Sequence, residues 1–295
     1  MNIFKGLSTA LITPFTKNDE IDIDFLKILV NNQIDNGIDY LVILGTTAET
    51  PSLTCTEKEL IIQTVVKEVH DRIPIVLGLG SNSTRHLLDD LQNFDLTNIS
   101  GLLSVAPYYN RPTQEGIYQH FATLAKATQL PIMLYNVPKR CGENIAPETI
   151  VRLANDFENI QAVKEASASI AQCQRIMAEK PDNFAVISGD DAMTLPFIAL
   201  GAEGLVSVVS NAYPALVKQM FRFSMGNDYP KAREVFYVLK PIITNIFAEG
   251  NPAGIKHYLS KLWKKAELAN VRLPLVPISK ELEKVIALSF KDSLR

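Results

Sequence analysis

In the stretch IQAVKEAS, residues 160–167, a lysine directly follows an apolar run of β type. Lys164 at such a strand end, walled by Ala162 and Val163, is pushed towards its neutral form, because apolar surroundings disfavour charge. A neutral amine is a nucleophile. It can attack a ketone to give a Schiff base, whose protonated imine is an electron sink for loss of a neighbouring proton. The same position also suits a solvated lysine or an ion-pair partner of Glu165, and the residues alone leave this open. Tyr135 in YNVPKRCG ends the preceding strand-like run. Its phenol could relay a proton during imine formation, or it could be a core tyrosine with a satisfied hydroxyl. Arg140 on the same stretch offers a guanidinium fork that fits a carboxylate. Lys139 reads as solvent-facing, and Asn136, Pro138 and Gly142 as turn residues that hold the loop.

Three further stretches carry candidate groups. In GTTAET, residues 45–50, the backbone amides and the hydroxyls of Thr46 and Thr47 could hold a carboxylate, with Gly45 allowing close approach. Thr and Gly are also ordinary turn residues, so this signal is weak by itself. Tyr108 and Tyr109 in APYYNRP fit loop packing or an interface. Asp190 and Asp191 in SGDD could serve as acid, base or metal ligands, and read first as caps of a helix beginning near Ala192. Other chemistries lack their residues. His70, His86, His120 and His257 form no pair at zinc-ligand spacing. GLGSNS lacks the last glycine of a dinucleotide fingerprint, and no serine sits in a G-x-S-x-G elbow. The histidine spacing argues against a zinc-dependent mechanism.

The elements that must position these groups repeat. Apolar runs rich in Val, Ile and Leu recur roughly every 25 to 30 residues, separated by segments of helical period. The runs are LSTALITP, YLVILG, IPIVLGLG, GLLSVAP, PIMLYNVP, IQAVKEA, FAVISGDD and GLVSVVSN, eight in all. Near-continuous apolarity implies burial on both faces, as in a parallel sheet. Eight βα units favour an α/β fold closed as a (β/α)₈ TIM barrel over an open sheet. Intervening helices are expected over 56–71, 114–128 and 146–156. Beyond the eighth run only helices remain, over 214–226, 231–249, 252–263 and 280–293. The expected division is a barrel over residues 1–226 and a helical extension over 227–295 packed on it. In such barrels the chemistry sits on loops after the strands' C-terminal ends, where every group named above falls.

Composition narrows the partners. A formal net charge of −3, 47% hydrophobic and 21% charged residues describe an ordinary globular chain with no concentrated basic surface for nucleic acid or membranes. The three cysteines, Cys55, Cys141 and Cys173, form no C-x-x-C pair and suggest free thiols in a reducing compartment. With no export-signal pattern and no apolar run near the roughly 18 residues of a membrane span, a cytoplasmic location is expected.

Taken in order, GTTAE, PYYNRPTQEG, YNVPKRCG, VKEAS, SGDD and GLVSVVSN, with NPAGIKH and RLPL nearer the C-terminus, resemble the dihydrodipicolinate synthase family within the N-acetylneuraminate lyase superfamily. The likeness runs the full length. It implies a class I aldolase-type enzyme that condenses pyruvate with aspartate 4-semialdehyde on the diaminopimelate route to lysine, without metal or cofactor, and assembled as a homotetramer. By motif position Lys164 matches the Schiff-base lysine, and Tyr135, Thr46 and Tyr109 match the proton relay, with Tyr109 reaching in from a neighbouring subunit. Thr47 matches the contact to the pyruvate carboxylate and Arg140 the contact to the semialdehyde carboxylate. Gly189 and Val206 match pocket-lining positions.

Departures from the family pattern include Ala48, where Gly is usual, and Cys141, where Thr is usual. In lysine-inhibited members a histidine and an acidic residue serve the effector site. The matching positions here carry Lys58 and His86, while Asn82 and Tyr108 are kept. An added cation repels lysine's ammonium, so feedback is expected to be weak or absent. Activity measured across lysine concentrations checks this, and strong sub-millimolar inhibition contradicts it.

Two other functions are weighed. A lyase acting on a sialic acid or keto-sugar acid would keep the lysine and tyrosine, and Asp190 and Asp191 leave room for a polyol. Arg140 argues against it, since the sialate lyases typically lack an arginine there. A keto-acid sensor built on the same barrel would need no imine chemistry, and borohydride trapping separates the two classes.

Overall fold

The computed structural model describes residues 2–293. Eight parallel strands follow one another around a closed barrel in chain order. They are β1 (Gly6–Ala10), β2 (Tyr40–Ile43), β3 (Ile75–Gly78), β4 (Gly101–Val105), β5 (Ile132–Asn136), β6 (Ile160–Glu165), β7 (Ala185–Ser188) and β8 (Gly204–Ser207). Seven fall inside one of the eight apolar runs, and β1 begins one residue before its run, at Gly6. The reason is burial: β2, β5, β7 and β8 are buried at every residue, so no alternation with polar side chains is possible.

The helices are α1 (Ile23–Asp35), α2 (Cys55–Val69), α3 (Thr84–Asn93), α4 (Gln114–Ala127), α5 (Pro138–Cys141), α6 (Pro147–Asp156), α7 (Ile170–Glu179), α8 (Thr194–Ala199), α9 (Pro214–Met225), α10 (Tyr229–Ala248), α11 (Ala253–Leu262) and α12 (Lys280–Ser293). Capping sets where they start. Thr54 Oγ1 accepts the Glu57 amide at 3.2 Å while Glu57 accepts the Thr54 amide at 2.8 Å. This reciprocal box moves the start of α2 ahead of the expected Thr56. Asp228 likewise accepts the Lys231 amide and starts α10 at Tyr229, two residues before the expected position.

By residue contact the chain groups into two units, one holding the chain up to Leu7 with Pro74–Val206, the other Ser8–Ile73 with the chain from Ser207. In the first, β5 is registered against β4 and β6, and β6 against β7. Around these strands α3 packs on α4, α4 on α6, and α6 on α7. In the second, α1 packs on α2, α10 lies along α9, and α12 packs on α10. Among the described residues no helix is long and apolar enough to cross a membrane.

Candidate active site

Lys164 and Tyr135 are direct register partners on β6 and β5. The Lys164 ammonium nitrogen lies 4.3 Å from the centre of the Tyr135 ring, and the two side chains are 5% and 7% exposed. Burial lowers the Lys164 pKa from 10.5 to about 7, with Arg140 adding to the depression and Asp191 opposing it. An ordinary lysine holds its proton several units above neutrality. This one loses it near neutrality, which is the condition for nucleophilic attack.

Glu165 is not the partner of Lys164. Successive residues of a strand point to opposite faces. The fully buried Glu165 instead accepts Asn136 Nδ2 and Gln172 Nε2, each at 2.9 Å, and the Ser167 amide at 2.7 Å. The nearby negative charge for Lys164 comes from Asp191, buried on the turn after β7. The two aspartates therefore divide their work. Asp190 accepts the Ala192 amide at 2.9 Å and caps the turn, as expected, whereas Asp191 acts on the lysine.

The buried network around Glu165 also holds the loop that carries Arg140. Asn136 Nδ2 donates to Asn144 Oδ1 at 2.9 Å, and Asn136 Oδ1 accepts the Ile145 amide at 3.0 Å, closing the loop from both ends. Asn144 Nδ2 reaches Gln172 Oε1 at 2.7 Å. Between these fastenings Pro138 starts α5, and Gly142 ends it with φ of 75°, a conformation that favours glycine. Asn136 thus does more than turn the chain. Arg140 is exposed on α5, and its charge acts on Lys164. Cys141 is buried and its thiol is pushed up to about 11, so the residue is an inert packing element of this loop.

Gly189 follows β7 and is required for space. A Cβ there would lie 2.9 Å from Lys164 Cγ, 3.0 Å from Lys164 Cε and 2.9 Å from Ala166 Cβ. Gly189→Ala should therefore displace the amine and slow imine formation by on the order of 100-fold. Trapping kinetics with a 2-keto acid and borohydride check this, and an unchanged rate would mean that Lys164 can shift at no cost. Val206 is buried on β8. Tyr109 behaves differently from the rest: it is 89% exposed and holds a φ of 74°, unusual for an aromatic residue.

In the second unit GTTAET forms a 3₁₀ turn over Thr46–Ala48, after which Glu49 takes a left-handed conformation with φ of 57°. Thr47 is buried and Thr46 half-buried. Gly45 is not needed for a close approach within the chain, since an added Cβ would meet nothing nearer than Val42 Cγ1 at 3.7 Å. Of the two positions tied to feedback, Lys58 is half-buried on α2 and His86 exposed on α3. Asn251 and the pair Glu49 and Lys256 went unseen as site elements, because their partners lie far off in sequence, whereas Asp191 was named as an acid, base, metal ligand or cap and not as the charge beside Lys164.

Residues 3–291 match the model of the dihydrodipicolinate synthetase family. A 4-hydroxy-tetrahydrodipicolinate synthase of Parabacteroides distasonis is 49% identical over 274 residues, 92% of this chain and 91% of that protein. One from Flavobacterium psychrophilum is 44% identical over 292 residues, 99% of each chain. Among solved structures, dihydrodipicolinate synthase of Thermotoga maritima superposes with a TM-score of 0.94 at 36% identity, covering 99% of both chains. That of Aquifex aeolicus gives 0.92 at 37% identity, again covering 99% of both.

Proposed function

The chain belongs to the dihydrodipicolinate synthetase family, and from this premise we propose that it condenses pyruvate with L-aspartate 4-semialdehyde to 4-hydroxy-tetrahydrodipicolinate, in lysine and diaminopimelate biosynthesis. The observation that carries this reading is a buried amine at the end of β6, losing its proton near pH 7 and lying against the Tyr135 ring. Neutral Lys164 attacks the ketone of pyruvate, and loss of water leaves a protonated imine. The imine draws electrons from the adjacent methyl, which loses a proton to become an enamine. The enamine carbon adds to the aldehyde of the second substrate. The amino group of that substrate then attacks the imine carbon, closing the ring and releasing Lys164.

Tyr135 carries protons to and from the carbinolamine, assisted by Thr46 and by Tyr109 of a neighbouring subunit. The exposure and strained backbone of Tyr109 support the last assignment, since both suit a ring used outside its own chain. A shared Tyr109 requires at least a second copy of the chain, and the assembly proposed from the family resemblance is a homotetramer, a dimer of dimers. Thr47 holds the pyruvate carboxylate and Arg140 that of the semialdehyde, while Gly189 and Val206 line the pocket. We assign residues 1–226 to the catalytic barrel and 227–295 to the helical extension, and place the protein in the cytoplasm.

The assay that tests the substrate offers pyruvate with either aspartate 4-semialdehyde or N-acetylmannosamine. Turnover with the first alone is expected, and turnover with the second would move the protein to the keto-sugar lyases. Asp190 and Asp191 give that rival little support, since one caps a turn and the other is buried beside the lysine. Tyr135→Phe should lower turnover by about 10²- to 10⁴-fold with the melting temperature unchanged. Near-normal turnover would remove Tyr135 from the relay.

A further inference from the structure

A hydroxyl has a single proton to donate and two lone pairs with which to accept. Thr47 Oγ1 accepts the Asn251 Nδ2–H at 2.8 Å, and the two side chains are 3% and 7% exposed. That bond occupies a lone pair of Thr47 and leaves its proton to be donated elsewhere. The rest of the turn is equally fastened. Thr13 Oγ1 donates to the Ala48 carbonyl at 2.8 Å, and the Glu49 carboxylate accepts both Lys256 Nζ and the Arg272 amide, the latter at 2.8 Å. Asn251 and Lys256 both belong to NPAGIKH, and Arg272 opens RLPL. Segments more than 200 residues downstream therefore set the geometry of the GTTAE turn.

We propose that Asn251 is a positioning residue that makes Thr47 a committed hydrogen-bond donor, and through it sets the preference for an anionic carboxylate on the first substrate. The inference rests on the reading of Thr47 as the pyruvate carboxylate contact. An amide that donates to the hydroxyl oxygen turns the hydroxyl proton away from itself, towards an acceptor. A carboxylate at position 251 would do the reverse, drawing that proton in and placing a negative charge near the bound anion.

The test is a double-mutant cycle on the intact protein, read as the KM for pyruvate and as the pyruvate dependence of borohydride trapping. Thr47→Val and Asn251→Leu should each raise KM by about 10- to 100-fold, the range of a hydrogen bond to a charged group, and Asn251→Leu should hold kcat within about threefold. The double variant should have the KM of Thr47→Val alone, because without the hydroxyl Asn251 has nothing to orient. Asn251→Asp should exceed Asn251→Leu in effect. Should Asn251→Leu fail to fold, Asn251→Ser completes the cycle with the same expectations. Multiplicative KM effects in the double variant would overturn the proposal, as would a normal KM for the Asn251 variants beside a raised KM for Thr47→Val. A normal KM for Thr47→Val would instead overturn the reading of Thr47 on which the proposal stands.

Discussion

Reduction with borohydride in the presence of pyruvate will leave a permanent adduct on Lys164, and Lys164→Ala will lose both the adduct and, on the order of 10⁴-fold or more, the turnover. Mass spectrometry of the digested protein locates the adduct, and labelling of any other side chain defeats the assignment. The pH dependence follows from the same amine. Attack needs the neutral form, so the rate of imine formation should rise with pH up to about 7 and level off above it. Below that point each unit of pH removes about nine-tenths of the remaining free amine. The effect on stability has the opposite sign from that of a salt-bridged lysine. Between pH 7 and 10.5 the unfolded chain holds a proton that the folded chain has released. The contribution of this group to stability therefore rises with pH across that window. At pH 7, then, Lys164→Met should melt above the native chain, since it removes an amine that folding keeps from its preferred charge. A melting temperature at or below the native value would contradict the burial cost on which the mechanism depends.

Lys256→Met will lower stability by about 3–5 kcal/mol and the melting temperature by on the order of 10 °C. Lys256 and Glu49 form an ion pair in which both side chains are essentially inaccessible, 0% and 1% exposed. The ammonium also donates to the Asn270 carbonyl at 2.9 Å and lies 4.1 Å from the centre of the Phe15 ring. Desolvation outweighs the attraction of Glu49 and holds the Lys256 pKa down at about 8. The intact pair therefore adds little net stability, but removing one member strands a buried carboxylate. The combined change Glu49→Leu and Lys256→Met should recover most of the loss, because an apolar pair of similar volume has no charge to desolvate. Calorimetry on the three variants measures this. Equal losses for the single and double variants would show that packing, not charge, sets the effect.

The pair also shows what NPAGIKH and RLPL do for the GTTAE turn. Lys256 and the Arg272 amide meet on one carboxylate of the GTTAE turn. Arg272 grips Glu57 with two nitrogens, at 2.6 and 2.9 Å, and holds that carboxyl down at about 2. The start of α2 and the turn before it are thus fixed by residues near the other end of the chain.

Most of the barrel was legible in the sequence, since strands buried on both faces are written as largely apolar runs, interrupted at residues such as Ser8, Thr9, Lys164 and Glu165 that are buried with them. Lys164, Tyr135 and Arg140 were legible too, as reactive types on strand ends and the loops that follow them. Their surroundings were not. Glu165, adjacent in sequence, was one open possibility as the partner of Lys164, yet the pleat turns it to the other face and the nearby negative charge comes from Asp191 on the next strand's loop. Asn136 read as a turn residue and proved to tie β5 to the Arg140 loop and to Glu165.

Sequence alone determined which elements form, because periodicity and capping are properties of neighbouring residues. Which charges are buried, which amine loses its proton and which hydroxyl is turned to donate were decided only in three dimensions. Asn251 and Thr47 meet across 204 residues, and no local pattern encodes such a contact; it exists because the folded chain brings the two side chains together and excludes water from both.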